Sequence, residues 1–562
     1  MFSGKNIVLL MQLHHIVHAF QKKVRKCQSL ENHIVSFGSF CLMKGKLDKN
    51  PYFRASIFAF IQFEKQAMAK PLSILFVTSE VYPFAKTGGL ADVSYSLPLA
   101  LRELGHDIRV MAPKYGSISE RKNRIHEINR LRDIPIPIGE TESYATVKSS
   151  SINNPRSKVQ AYITTNSNYF DANKGFYSDP ATGLDYPDND ERFVFFGNSV
   201  IQTCMLLGWV PDIIHCNDWQ TGILPALIRL KHNDLFAKTK IIYTIHNFGL
   251  QGDFPMKSLT KTGFSTADAD ALSHKKKVNF MKAGIHFSDC ITTVSPTYAK
   301  EVLADQKLSN GLSDVLKTKP DRMVGIAHGV DLNTWNPKID THLTKNYDKS
   351  SIENKAPNKE TVLERFDLPV HTDRRVPLIA MVTRIIDQKG IQLILDAEKE
   401  LFSKDIQFVM LGEGDHSFYP KLEALAKKYP EKFALRIQFD DELAHLMEAG
   451  ADMFLMPSKY EPCGLNQQYS LVYGTVPIVR STGGLADTVT DFDKKTGEGT
   501  GFVFKDYTAK SMMSAIDKAI KLFDEEESWN GLIMNGMNED RSWGRAARQY
   551  SELYRALMKD TL

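Results

Sequence analysis

Thr87-Gly88-Gly89-Leu90-Ala91-Asp92 recurs as Thr482-Gly483-Gly484-Leu485-Ala486-Asp487. One copy falls in each half of the chain. Each follows an apolar run that reads as a strand, and each opens a helical pattern near its Asp. Paired glycines let backbone N–H groups approach a ligand closely. The start of a helix adds unpaired donors and a partial positive charge. Together they suit a phosphate or a polar sugar. Two such loops facing each other across a cleft suit a nucleotide sugar held from both sides. The rival reading is a pair of tight turns, and six identical residues in equivalent contexts weigh against it.

Around these loops, short apolar runs alternate with helical patterns from residue 70 onward. A first series of expected strands covers Leu72–Ser79, Ile108–Ala112, Val159–Thr164, Ile213–Cys216, Ile241–Ile245 and Ile291–Val294. A second covers Val324–His328, Leu378–Val382, Ile406–Leu411, Leu435–Phe439, Met453–Met456, Val476–Val479 and Phe502–Phe504. Most are rich in Val, Ile and Leu without clean alternation, as parallel strands covered on both faces are. Strands alternating with helices imply an α/β fold with doubly wound sheets. So many strands exceed one core of normal size. The division expected is a head over 1–67, one domain over 68–318, a second over 319–540, and a last helical pattern over 541–562 that returns to the first domain. Lys338 to Arg375 reads as a charged surface excursion.

The chain has 562 residues, 43% hydrophobic and 24% charged, which is globular and not disordered, collagen-like or coiled-coil. Its net charge of +4 is uneven, because residues 1–67 hold ten Lys and Arg against three Asp and Glu. The remaining body is slightly acidic, which argues against nucleic acid as a partner. The head ends just before Met68 and reads as an upstream extension, or as a targeting segment with too few Arg. Six scattered cysteines form no CxxC pair, which fits a reducing, cytoplasmic compartment and no structural zinc. Phe193 to Val210 is interrupted by Asn198, Ser199, Gln202 and Thr203, so it reads as a buried helix rather than a membrane span.

No GxxxxGK[ST], no early GxGxxG, no HExxH and no GxSxG occurs. Kinase, dinucleotide oxidoreductase, metalloprotease and serine hydrolase readings therefore lose support. Lys86 directly precedes the first Gly-Gly loop and offers a point charge to a phosphate. Arg384 and Lys389 follow the strand Leu378–Val382, where ligands of open α/β sheets bind. Two cations there suit a diphosphate whose charge grows as it leaves. Glu461 follows Met453–Met456 in Pro457-Ser458-Lys459-Tyr460-Glu461-Pro462-Cys463-Gly464, pinned by the Pro462 and Gly464 that follow it. Cys463 reads as a small buried residue, not a nucleophile. Asp188, Asp218-Trp219 and His246-Asn247 place polar groups at several strand ends of one domain, where they suit one cleft that binds hydroxyls.

These pieces resemble the bacterial glycogen synthase and starch synthase family. The shared stretches are Ser79-Glu80, Lys86 to Leu90, Asp218-Trp219, Thr244 to Asn247, Ser295-Pro296-Thr297-Tyr298, Gly329-Val330-Asp331, Thr383-Arg384 with Gln388-Lys389-Gly390, Glu461 to Leu465, and Arg480 with Thr482 to Asp487. They run in the family's order from about residue 71 to the end. The resemblance implies a GT-B fold of two Rossmann-like domains across a deep cleft. It implies glucose transfer from ADP-glucose to the non-reducing end of glycogen or another α-1,4-glucan, with retention and with no metal or cofactor. UDP-glucose, another acceptor, or a non-catalytic glucan-binding paralogue are the alternatives.

Carried over by position, Lys86, Gly88 and Gly89 contact the sugar nucleotide. Arg384 and Lys389 stabilise the departing diphosphate, and Glu461 orients the donor glucose. Thr482, Gly483 and Gly484 offer amides, while Asp188, His246 and Asn247 lie near the donor sugar and acceptor hydroxyl. Three positions depart from the family's usual pattern: Gln220, where His is common; His328, where Asn is common; and Asn466-Gln467-Gln468 after Leu465.

Overall fold

The computed structural model describes residues 70–172 and 174–561; the expected head, 1–67, lies outside them. From Pro71 the chain forms one unit built on two main sheets. The first has ten strands. Its main path runs Met323–Gly325, Cys290–Thr293, Lys240–Ile245, Ile213–Asn217, Ser73–Val77, Asp107–Pro113, Lys158–Thr165, Thr141–Asn153 and His126–Glu127, with Ile134–Ile138 paired to Thr141–Asn153. Pairing is parallel as far as Lys158–Thr165 and antiparallel beyond it. Ile74 to Val77 are fully buried at the centre, which is why this strand reads as an unbroken apolar run.

The second sheet is all parallel: Phe433–Arg436, Gln407–Leu411, Leu378–Val382, Met453–Met456, Val476–Arg480, Phe502–Phe504. Apolar clusters cover both of its faces. In each sheet the direction of winding reverses at one point. In the first it lies between Ser73–Val77 and Ile213–Asn217, and in the second between Leu378–Val382 and Met453–Met456. Loops leaving the carboxyl ends of those four strands diverge and open a crevice, where open α/β sheets bind ligands.

One strand is misassigned by the sequence reading. The strand expected over Val324–His328 to open the second series is Met323–Gly325, paired to Cys290–Thr293 at the edge of the first sheet. Gly325 packs so tightly that an added Cβ would meet Ser295 O at 2.3 Å, a closeness no apolar pattern reveals. The boundary expected at 319 thus precedes the last strand of the first sheet. The chain crosses after it, where Val330 N donates to Arg541 O at 2.7 Å, so outgoing and returning connections lie side by side. The excursion over Lys338 to Arg375 is also only partly superficial: Tyr347 and Lys355 are buried, and Lys355 Nζ donates to Ala449 O at 2.6 Å.

The helix Trp543–Met558 belongs to the first core, where Ala547, Tyr550 and Tyr554 are buried. His106 Nε2 pairs with Ser551 Oγ at 2.8 Å, and His215 Nδ1 with Tyr554 OH at 2.8 Å. Phe193 to Val210 falls largely within the buried helix Asn189–Leu207. Among the described residues no helix is long and apolar enough to cross a membrane.

Candidate active site

Arg384, Lys389 and Glu461 meet at the switch point of the second sheet. They line a cavity of about 200 Å³ together with Thr383, Ser458, Gly464, Leu465 and Asn466. That volume suits part of a nucleotide sugar, since whole small-molecule sites run from about 300 Å³ upward. Lys389 Nζ is 2.5 Å from Glu461 Oε2, and Ser458 Oγ donates to the same oxygen at 3.0 Å. Glu461 is 5% exposed, so its charge needs this cation to be tolerated. Arg384 is exposed and makes no ion pair among the described residues.

Local backbone explains the convergence. Gly390 has φ +79, and an added Cβ would meet Pro457 O at 2.2 Å, so only glycine brings the Lys389 turn this close to the Glu461 loop. Lys459 N donates to Gln388 O at 2.8 Å, and Gln388 Nε2 to Tyr460 O at 3.1 Å. Asn466 Nδ2 donates to Val382 O at 2.6 Å, which ties the start of helix Asn466–Tyr473 to the end of the central strand. Burial pushes the Cys463 thiol up to about 12, so it stays protonated.

The first Gly-Gly loop opens helix Gly89–Glu103. A Cβ on Gly89 would stand 3.9 Å from Leu465 Cδ1, so this loop faces the wall of the cavity, while Gly88 borders open space. Lys86 is exposed and paired to Asp92 Oδ1 at 2.9 Å, outside the cavity lining. The buried Glu80 holds the loop. It accepts from Thr87 N and Thr87 Oγ1, each at 2.6 Å, from Gly88 N at 3.3 Å, and from Tyr177 OH at 2.8 Å.

His246 Nε2 pairs with Asn217 Oδ1 at 3.1 Å, and its ring lies 5.4 Å from that of His328. Burial pulls its pKa down to about 4, with nearby Glu80 opposing, so the ring is neutral near pH 7. Asp218 accepts from His246 N at 2.8 Å, and burial raises its carboxyl to about 7. Asn247 Oδ1 closes its own turn on Gly249 N at 2.8 Å. Asp188 caps helix Asn189–Leu207 without a side-chain hydrogen bond and does not line the Glu461 cavity. The next residue, Asn189, donates to Tyr177 O at 2.8 Å, which links that helix start to Glu80 through Tyr177.

The second Gly-Gly loop departs from the sequence expectation that its amides serve a ligand. Gly483 N donates to Glu301 Oε1 at 3.2 Å, and Gly484 N to Glu461 O at 3.0 Å. Added Cβ atoms would meet Glu461 O at 2.0 Å from Gly483 and Cys463 O at 1.9 Å from Gly484. These glycines therefore let the loop press against the backbone that carries Glu461. Sequence reasoning gave no role to Glu80, Ser458 or Glu301. Glu80 had a signal in its place at the end of a central strand; Glu301 had none.

Residues 73–318 match the starch synthase catalytic domain family, and 366–531 match glycosyl transferases group 1. A glycogen synthase of Syntrophotalea carbinolica is 40% identical over 86% of this chain and 98% of its own length. One from Desulforudis audaxviator is 41% identical over 87% of this chain and 97% of its own. The chain belongs to the glycogen synthase family. As a member it is a glucosyltransferase, and its two-domain α/β architecture is the GT-B fold. The catalytic domain of starch synthase IV from Arabidopsis thaliana, solved with ADP and acarbose, superposes with a TM-score of 0.78 at 29% identity, covering 87% of this chain and all of that one. The family match spans both halves of the site, from the Glu80 loop to the Glu461 cavity.

Proposed function

We propose that this glycogen synthase family member transfers glucose from ADP-glucose to the 4-hydroxyl at the non-reducing end of an α-1,4-glucan, with retention of configuration. The observation that carries this reading is the buried Lys389–Glu461 pair beside the exposed Arg384, facing the first Gly-Gly loop. Arg384 and Lys389 supply fixed positive charge where a leaving diphosphate gains negative charge. The start of helix Asn466–Tyr473 lies at the same cavity and favours an anion. Glu461, fixed by Lys389 and Ser458, orients donor glucose hydroxyls. Lys86 and Gly88 meet the donor from the first domain, and Asp188, His246 and Asn247 border donor sugar and acceptor.

The acceptor hydroxyl attacks from the face the diphosphate leaves, and a phosphate oxygen takes its proton. No protein nucleophile is then required, in keeping with a Cys463 thiol that stays protonated. Buried free cysteines, Cys204, Cys216, Cys290 and Cys463, accord with a cytoplasmic enzyme.

The test is glucose incorporation into glycogen from ADP-glucose or UDP-glucose, supplied separately with a chelator present. Incorporation from ADP-glucose alone supports the full reading. Incorporation from UDP-glucose reassigns the donor, and glycogen binding without turnover favours a non-catalytic paralogue.

A further inference from the structure

Helix Pro296–Ala304 follows the first sheet's strand Cys290–Thr293, and the short helix Gly483–Thr488 follows the second sheet's Val476–Arg480. The two pack together, and each gives a carboxylate to the other. Asp487 reaches the N-terminus of the first-domain helix. It accepts from Ser295 Oγ, from Thr297 N at 3.1 Å and from Thr297 Oγ1 at 2.6 Å. Glu301 returns the gesture, accepting from Thr482 Oγ1 at 3.2 Å and Gly483 N at 3.2 Å. Charge-assisted bonds of this kind are about twice as strong as neutral ones. The first copy of the hexapeptide is wired otherwise, with Glu80 of its own domain on Thr87 and with Asp92 on Lys86.

What Glu301 grips bears directly on Glu461. Gly483 and Gly484 lie against the carbonyls of Glu461 and Cys463 with no space for a Cβ, and Gly484 N is bonded to Glu461 O. Arg480, within electrostatic reach of Glu301, donates to Lys459 O at 2.6 Å, two residues before Glu461. A first-domain helix is therefore linked to the Glu461 loop through the one second-domain stretch that runs from Arg480 to Gly484.

We infer that Glu301 and Asp487 are positioning residues: they hold the Thr482–Gly484 loop so that its backbone fixes Glu461 against Lys389, and the placement of the first domain is thereby felt at Glu461. This rests on the role given to Glu461 above.

The test uses the full chain with Glu301→Ala, Glu301→Gln and Asp487→Asn. Glu301→Ala is expected to lower kcat about tenfold, a change of one decade in the barrier factor, while KM for glucan stays put. Glu301→Gln, which keeps an acceptor oxygen, should recover most of that loss. In a Glu461→Ala background the same Glu301→Ala change should cost no more than about twofold, because coupled sites are non-additive. A kcat for Glu301→Ala within twofold of the parent, or a full further tenfold loss in the Glu461→Ala background, overturns the inference.

Amide hydrogen exchange reads the same contact without turnover. Glu301→Ala should speed exchange over 461–466 as well as over 482–487. Faster exchange at 482–487 alone overturns the coupling. A parent chain that fails to use ADP-glucose sinks the donor assignment and leaves the exchange result to decide the coupling by itself.

Discussion

Lys389 Nζ stands 2.5 Å from Glu461 Oε2, with the two side chains only 16% and 7% exposed. The pair joins the two strands that flank the switch point of the second sheet. It is nearly sealed from water, so neither charge is well solvated without the other. Removing one partner strands the other, at a typical cost of about 3–5 kcal/mol. Lys389→Met is therefore expected to lower the urea midpoint clearly, and Lys389→Met with Glu461→Gln should regain most of the loss. Both variants should lose about a hundredfold or more in kcat, the scale for deleting an electrostatic group at a reacting centre. A double variant as unstable as the single would contradict the pairing.

Arg384 presents the opposite case. It is exposed and unpaired among the described residues, so the folded state does not depend on it. Arg384→Ala should leave the melting temperature within a degree or two and still reduce kcat by about tenfold to a hundredfold. A large drop in melting temperature with normal turnover would remove it from the diphosphate site.

The two Gly-Gly loops are alike in sequence and should differ sharply under one substitution. Gly88 has room for a Cβ and an extended backbone, with φ −160, so Gly88→Ala should cost no more than about 1 kcal/mol. At Gly484 a Cβ would lie 1.9 Å from Cys463 O. Gly484→Ala must displace backbone, and about 3 kcal/mol or more is expected. Thermal melts of the two variants decide it; equal melts would show that the second loop is free to move.

Acid should loosen the docking of the last helix. His106 Nδ1 accepts from Leu72 N at 3.2 Å, and burial lowers its pKa to about 4. His215, sealed between Thr244 and Tyr554, is lowered further, to about 3. Both are neutral when folded and protonate near 6.5 when unfolded. Their stabilisation is complete above pH 6.5 and declines as pH falls towards 4 and 3. Urea midpoints at pH 7.5 and 5 should show the drop, and His106→Gln should make it shallower. A midpoint unchanged between those values would refute it.

The central strands were legible because burial on both faces leaves only apolar residues, as Ile74 to Val77 show. The long strand Thr141–Asn153 was not, since most of its Ser, Thr and Lys positions are only half-buried, at the antiparallel end of the sheet. Ile134–Ile138 did alternate, but prolines at every second position masked it. Lys389 and Glu461 were readable because each follows an evident strand. Glu301 was not, because its contact to Thr482 spans 181 residues and nothing local marks a helix glutamate as a partner of a distant loop. The same gap explains the second Gly-Gly loop: its sequence announces free donors, and only the fold shows them engaged.

Trp543–Met558 fills the first core with Ala547, Tyr550 and Tyr554, although it follows the whole second sheet in sequence. On the ribosome, the amino-terminal half must therefore wait, its central sheet lacking one wall until the codons for Trp543–Met558 have been read. A nascent chain arrested after Asp540 would carry the strands of both sheets but leave the first core uncovered, so the order of synthesis is not the order of completion.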